Sequence, residues 1–468
     1  GIILKKVDNS NQELKAYKFE LIVRDKSKLH KGLIQTIGNC RKVWNMYLAE
    51  LNQDYSDYKT CQVLTHMNGG SKDDLKYEFN HHFDPYSDLS KKLPKLKKDL
   101  PYLALTSSTV LQMKVKTLSD SVVKYRKGEC GAITFKKKFQ VNSFSCNFGL
   151  KPDLANNRIY IPKLGYIRYR NNKQRDILGK IINVTISKEQ DKFYISIQTK
   201  RNLSQINPTD LNLTPENSMI GIDMGVKNLI TISDGKYVEF EFQGKKIDSR
   251  NLNSSSLYNK EYDKLGRLQK TLARKTKNSN NYILIKKQIT KQHKHIRNIR
   301  FDFLQKLTTA LVIKYPYIAV EKLKVKNMSQ SAKGTLVKPG RRVKQKKGLN
   351  RSITRQGWSM CFAFLEYKLK YLYGTKLIWV NPKNTSRKCN KCGYINKKNR
   401  KSQSSFVCIN CNHSANADDN ASDNIKDAGQ AELLKNADKY WNTHLNSILN
   451  KGDDVSLKIP KTNPRTQQ

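Results

Sequence analysis

Three acidic residues and four cysteines carry the chemistry legible in this chain. Asp223 ends the apolar run MIGID, and Glu321 ends the apolar run YIAVE. Asp418 and Asp419 stand together in ADDNASDNI, just after the cysteines. Carboxylates at the ends of apolar strands cost free energy unless a metal or a donor compensates them. In an open α/β sheet, neighbouring strand ends bring such groups to one edge. Three converging carboxylates in a basic protein suit hard divalent cations, magnesium above all. Two such ions can activate water and stabilise the leaving oxygen in phosphodiester hydrolysis. Singly, Asp223 could be a turn residue, Glu321 a strand-end ion-pair partner and Asp418 a helix N-cap. Their co-occurrence favours the catalytic reading of Asp223, Glu321 and Asp418, with Asp419 competing for the third place.

Cys389, Cys392, Cys408 and Cys411 follow C-x2-C-x15-C-x2-C. That spacing predicts one closed zinc site of four thiolates. His413 could replace one cysteine, but four sulfurs suffice. Cys40, Cys61, Cys130, Cys146 and Cys361 are scattered and read as reduced thiols, which implies a reducing, cytoplasmic compartment.

The elements that must position these groups follow from pattern. A strand is expected at 14–23, then helices from about Lys28 to Lys127, where apolar residues recur every three or four positions. Short β-rich runs return from Ile133 to Thr199, beginning with ITFKKKF, and predict a small barrel interrupted by the helical block. Residues 201–217 read as a linker. Strands MIGID and NLITIS follow, with a third expected near KYVEFEF after the Asp234–Gly235 turn. A helical pair comes next, joined through the basic turn RKTKNSNN, and then the strand YIAVE. Residues 326–351 read as a long basic loop. A helix over 353–373 and the strand KLIWV lead to the cysteines, and a helix starts near Asp418. Beyond about 440 a loose polar tail is expected.

Composition points the same way. Across 468 residues, 88 Lys and Arg against 39 Asp and Glu give a net charge of +49. Self-repulsion on that scale implies a polyanionic partner, nucleic acid first. Candidate contacts are Lys136, Lys137 and Lys138, where cations alternate with aromatics, Arg274 and Lys275 in the basic turn, and Arg387 before the first cysteine pair. No apolar run spans a membrane and no signal peptide is expected. Gly1 in place of Met suggests trimming.

The segments GIDMGVKNLIT, IAVEKL and TSRKCNKCG … FVCINC … ADDNASDNI resemble, in order and spacing, the split RuvC nuclease domain of the TnpB family. Members of that family are insertion-sequence-encoded, RNA-guided DNA endonucleases, and miniature type V CRISPR effectors look like their relatives. LNRSITRQGW followed by LEYKLKYLYG looks like the family's segment before the ribbon. GNCRKVWN and FKKK are similar too. One departure is CINCNH, where the family usually has Gly after the last Cys.

The resemblance implies Asp223, Glu321 and Asp418 as the catalytic, magnesium-binding carboxylates, demoting Asp419, with one structural zinc. It implies an α/β fold with barrel and helical parts. The wedge barrel would cover 1–27 and 128–202, with a helical recognition domain inserted over 28–127 and a linker at 203–217. An RNase H-like RuvC domain would follow over 218–384, the zinc ribbon over 385–415, the third RuvC motif over 416–440 and the tail over 441–468. The implied partners are a guide RNA, target double-stranded DNA and its displaced single strand, bound by a monomer or by a homodimer on one guide. The place of action would be the prokaryotic cytoplasm, at the nucleoid. Rival readings are a guide-independent transposase or resolvase, a nuclease-inactive RNA-guided repressor, and a zinc-ribbon RNA-binding protein without chemistry.

Overall fold

The computed structural model describes residues 12–67, 85–138, 142–172, 174–202, 206–252, 254–334, 338–402 and 404–436. The expected tail over 441–468 lies outside them. The chain divides into two compact units, Gly1–Leu203 and Ser204–Gln468, and the fold class is mixed α/β.

The first unit is built on β1 (Gln12–Leu21), β2 (Ser143–Cys146), β3 (Lys151–Asp153), β4 (Arg158–Ile161), β5 (Gly165–Arg170), β6 (Lys180–Glu189) and β7 (Lys192–Asn202). They form one seven-stranded sheet in the order β2-β6-β7-β1-β5-β4-β3, paired antiparallel throughout and open at β2 and β3. Between β1 and β2 run helices α1 (Lys28–Met67), α2 (Pro85–Asp99) and α3 (Ser108–Arg126). Alternating strand residues such as Phe19, Ile195 and Ile197 share one core with Leu33, Val43 and Leu111 of the helices.

The run at 133–138 is not a strand, against expectation. Its backbone is held by α1 side chains instead of a neighbouring strand. Asn45 donates to the Lys136 carbonyl and accepts from its N–H, Trp44 Nε1 donates to Thr134 O, and Arg41 to Lys138 O.

In the second unit β8 (Met219–Met224), β9 (Ile230–Ile232), β12 (Tyr317–Glu321) and β13 (Ile378–Val380) form a sheet in the order β13-β12-β8-β9. Strands β8, β12 and β13 are parallel and β9 is antiparallel. The strand expected near KYVEFEF is instead β10 (Glu239–Phe242), which pairs with β11 (Lys245–Asp248) in a separate hairpin. Gln243 and Gly244, both at positive φ, make the two-residue turn that folds it back on itself.

Helices α4 (Ser254–Ala273) and α5 (Asn280–Lys314) lie between β11 and β12. Next come α6 (Val343–Gln356) and α7 (Trp358–Tyr373), and then α8 (Ala417–Lys435) after the cysteines. Helix α6 occupies the second half of the expected loop. Its Lys, Gln and Arg residues favour helix without showing an apolar stripe, and only Ile353 and Gln356 are buried. The single helix expected over 353–373 is broken at Gly357, whose φ of 74° is left-handed. A Cβ there would lie 3.0 Å from Arg300 Cδ and 3.1 Å from Leu304 Cδ1.

Strand alternation sorts the sheet's two faces. Ile220, Ile222, Ile318 and Val320 enter a core with Leu307 and Leu311 of α5 and Leu365 and Leu369 of α7. Met219, Tyr317, Ala319, Ile378 and Val380 face the other way, against Ile425 and Leu433 of α8. The same alternation runs from Met219 through Gly221 to Asp223 in β8 and from Ala319 to Glu321 in β12, which places both acids on the α8 side. Helix α8 sits close because two glycines permit it. A Cβ on Gly221 would lie 2.2 Å from the Ser422 carbonyl oxygen and 2.4 Å from Lys426 N, and one on Gly429 would lie 2.4 Å from Ala319 Cβ.

Candidate acidic site and four-cysteine centre

Parallel pairing of Ile222 with Val320 puts Asp223 and Glu321 side by side, one step further along, at the C-terminal ends of β8 and β12. Asp418 enters from the first turn of α8. Asn416 caps that helix, its side chain accepting the Asp418 N–H at 2.9 Å. The N-cap role considered for Asp418 therefore belongs to Asn416, which leaves the Asp418 carboxylate available.

Asp223 feels the other two carboxylates. Burial first, then Glu321 and Asp418, push Asp223 from 3.8 up to about 7, against the opposing Arg400 guanidinium and the Met224 N–H. Burial also raises Glu321, opposed by the Thr385 hydroxyl that donates to its Oε1 and by Arg400. Arg400 Nη2 donates to Asp418 Oδ1 at 3.3 Å. A single guanidinium thus faces three acids. Carboxylates are the donors a hard cation takes, though among the described residues only the four cysteines bring three or more His, Cys, Asp or Glu ligand atoms within 4.8 Å of one another.

Asp419 is separate from this group. It lines a neighbouring cavity of about 290 Å³ with Asn228, Lys236 and Arg250. Burial, Asp423 and Asp418 raise its carboxyl.

The four thiols form the second centre. Their sulfurs all lie within 4.8 Å of one another, with Cys389–Cys411 at 3.7 Å and Cys392–Cys408 at 3.6 Å. A tetrahedron with zinc–sulfur bonds of about 2.3 Å has edges of about 3.8 Å, so the set fits zinc. Gly393 and Asn412, each directly after a knuckle's second cysteine, take φ of 75° and 57°. Asn412 therefore supplies the left-handed turn for which the resemblance led one to expect glycine. The Tyr394 N–H is the main cause holding Cys392 down to about 6, which favours it as thiolate. All nine cysteines are free of disulfides, and Cys40, Cys146 and Cys361 are buried.

Buried asparagines of α8 join the two centres. Asn424 Nδ2 donates to the carbonyls of Thr385 and Lys388, and Asn420 Nδ2 also donates to Lys388 O. Asn420 Oδ1 accepts the Asn390 N–H, while Asn390 Nδ2 donates to Asp423. The insertion is thereby clamped to the helix that presents Asp418. Sequence reasoning missed Arg400, Thr385 and these asparagines. Arg400 lies in KKNRKSQSS, where nothing separates it from its basic neighbours.

The candidate nucleic-acid residues occupy several places. Lys136, Lys137 and Lys138 run along α1 in the first unit, Lys136 Nζ lying 5.1 Å from the Trp44 ring centre. In the second unit Arg274 and Lys275 are exposed in the turn after α4, and Arg387 is exposed at the start of the insertion. No described helix is long and apolar enough to cross a membrane.

Comparison with known proteins adds a lineage. Residues 194–332 match the OrfB_IS605 family, described as a probable transposase, and residues 358–425 match the Cas12f1-like TNB domain. The putative RNA-guided DNA endonuclease InsQ of Escherichia coli (strain K12) is 37% identical over 424 residues, covering 90% of this chain and 94% of that protein. The CRISPR-associated endodeoxyribonuclease Cas12f1 of Sulfoacidibacillus thermotolerans is 37% identical over 75 residues, 15% of this chain and 17% of that one. A Cas12f1–sgRNA–target DNA complex aligns over 88% of this chain and 99% of its own at 16% identity, with a TM-score of 0.30, too loose to carry an argument. Near-complete coverage of InsQ at this identity is decisive: the chain belongs to the TnpB family.

Proposed function

We propose that this protein is an RNA-guided DNA endonuclease that hydrolyses phosphodiester bonds at a magnesium-dependent, RuvC-type site. The observation that carries the reading is the adjacency of Asp223 and Glu321 on parallel strands with Asp418 on the facing helix. Relatives named as RNA-guided DNA endonucleases support the substrate and the guide. The sheet order, with one antiparallel strand beside three parallel ones and α8 across a face, supports an RNase H-like domain over 218–384 and 416–440. The sulfur geometry supports a zinc ribbon over 385–415. The open antiparallel sheet with helices inserted after its first strand supports a wedge module (1–27 and 128–202) carrying a recognition insert (28–127).

Asp223, Glu321 and Asp418 would hold magnesium, whose divalent charge would offset the push that Glu321 and Asp418 exert on Asp223. Bound there, magnesium supplies a water of lowered pKa and charge stabilisation at the leaving oxygen. The Thr385 hydroxyl fixes one rotamer of Glu321. Arg400 steadies Asp418 and offers a planar fork of donors to a phosphodiester. Base pairing to the guide would select the target duplex and displace its other strand, while the +49 charge holds both nucleic acids by their backbones.

The test is cleavage of guide-matched DNA with magnesium. Alanine at Asp223, Glu321 or Asp418 abolishes cutting while guided binding persists, and Asp419→Ala retains cutting. Full activity in Asp223→Ala would remove the reading.

A further inference from the structure

Helices α4 and α6 of the second unit border a groove of about 750 Å³ that is separate from the acidic site. Arg267 and Lys270 of α4 and Arg351 and Arg355 of α6 line it, with Asp263 as its carboxylate. Spacings of three and four residues put each pair on one helix face. Among the described residues none of these four cations makes an ion pair within 4 Å.

The crowding extends inward. Arg355 lies flat over Tyr262, 3.8 Å from the ring centre, and the Tyr262 hydroxyl accepts a hydrogen bond from Arg300. The Nε atoms of Arg300 and Arg355 are buried without a hydrogen-bond partner. Burial weakens the hold of Arg355 on its proton. Tyr262 and Asp263 oppose that effect, and the charges of Arg351 and Arg300 add to it. Guanidinium groups held this close with one carboxylate among them are stabilised by a polyanion laid along the groove. Tyr262 is the lining aromatic, and Arg355 covers one face of its ring, so the groove favours backbone over base contact.

We infer that the groove between α4 and α6 seats a sugar–phosphate backbone, with Arg267, Lys270, Arg351 and Arg355 sharing its phosphates. The inference rests on the proposed function only in that the protein handles nucleic acid. It requires no chemistry at Asp223, Glu321 or Asp418.

Guide RNA and duplex DNA offer the same phosphodiester chemistry, and separate RNA and DNA probes distinguish them. The full chain is titrated with a labelled RNA hairpin and with a DNA duplex of equal charge, between about 50 and 200 mM salt without magnesium. Arg267→Ala/Arg351→Ala changes two exposed residues, and the control Lys245→Ala/Lys435→Ala removes the same charge elsewhere on this unit. The groove variant should lower the slope of log affinity against log salt by about 1.5, as expected for two lost phosphate contacts, and the control should not. The probe showing the change identifies the occupant. If melting shows that the double variant is poorly folded, Lys270→Ala is read alone, with about half the change. An unchanged slope for both probes, or an equal change in the control, overturns the inference while the nuclease reading stands. Failure of the wild type to bind either probe removes both.

Discussion

Arg400 Nη2 meets Asp418 Oδ1 at 3.3 Å, a contact that ties the third carboxylate to the four-cysteine insertion. The same guanidinium opposes the upward push on Asp223 and Glu321. Replacing it tests whether it acts on the substrate or only tethers Asp418. Arg400→Ala should slow cleavage about 100-fold with guided binding changed little, the scale of losing one preorganised donor. Arg400→Lys should recover only part, since an ammonium lacks the planar fork. Wild-type rates in Arg400→Ala would reduce the contact to a tether.

Asp223 gives a pH signature in magnesium-free protein. Its carboxyl holds a proton up to about pH 7 when folded and to about 3.8 by its ordinary value. Between those limits the folded chain binds more protons than the unfolded chain, so this group's contribution to stability falls as pH rises. Asp223→Asn should flatten that decline and raise stability at pH 8 by about 1 to 4 kcal/mol, the upper figure being the whole span. Magnesium should stabilise the wild type and not the variant. Unfolding curves at pH 5 and 8 check both, and parallel curves for the two proteins would contradict the account.

Gly221 decides how close α8 can lie. Its added Cβ would strike backbone atoms of Ser422 and Lys426, which cannot rotate away. Gly221→Ala should cost about 3 kcal/mol and lift the Asp418 end of the helix from the strands. The denaturation midpoint should fall at constant slope. An unchanged midpoint would show that the helix shifts without penalty.

Cys408 is buried within the four-sulfur set. Cys408→Ser should lower bound zinc from about one per chain and lower the melting temperature, because metal binding there is coupled to folding. Unchanged zinc content would contradict the assignment.

Elements built on strong local pattern were legible in the sequence. The runs ending in Asp223 and Glu321 are apolar with a single terminal acid, and they emerge as neighbouring parallel strands. The cysteine spacing emerges as one four-sulfur cluster. What stayed hidden depends on tertiary partners. FKKK looks like a strand until Asn45 takes its backbone bonds, and α6 lacks an apolar stripe because only Ile353 and Gln356 of it are buried. Arg400 acquires meaning only once the insertion folds back on α8. No local pattern marks such a return.

The most direct test of the central claim is to purify the protein expressed with its native flanking DNA, sequence the RNA it carries, and exchange that RNA's variable segment. The account predicts one discrete structured RNA, and magnesium-dependent cutting that moves to whichever duplex matches the exchanged segment. Heterogeneous RNA removable by salt, with cutting indifferent to the exchange, would contradict it and bring forward a nuclease that acts without a guide.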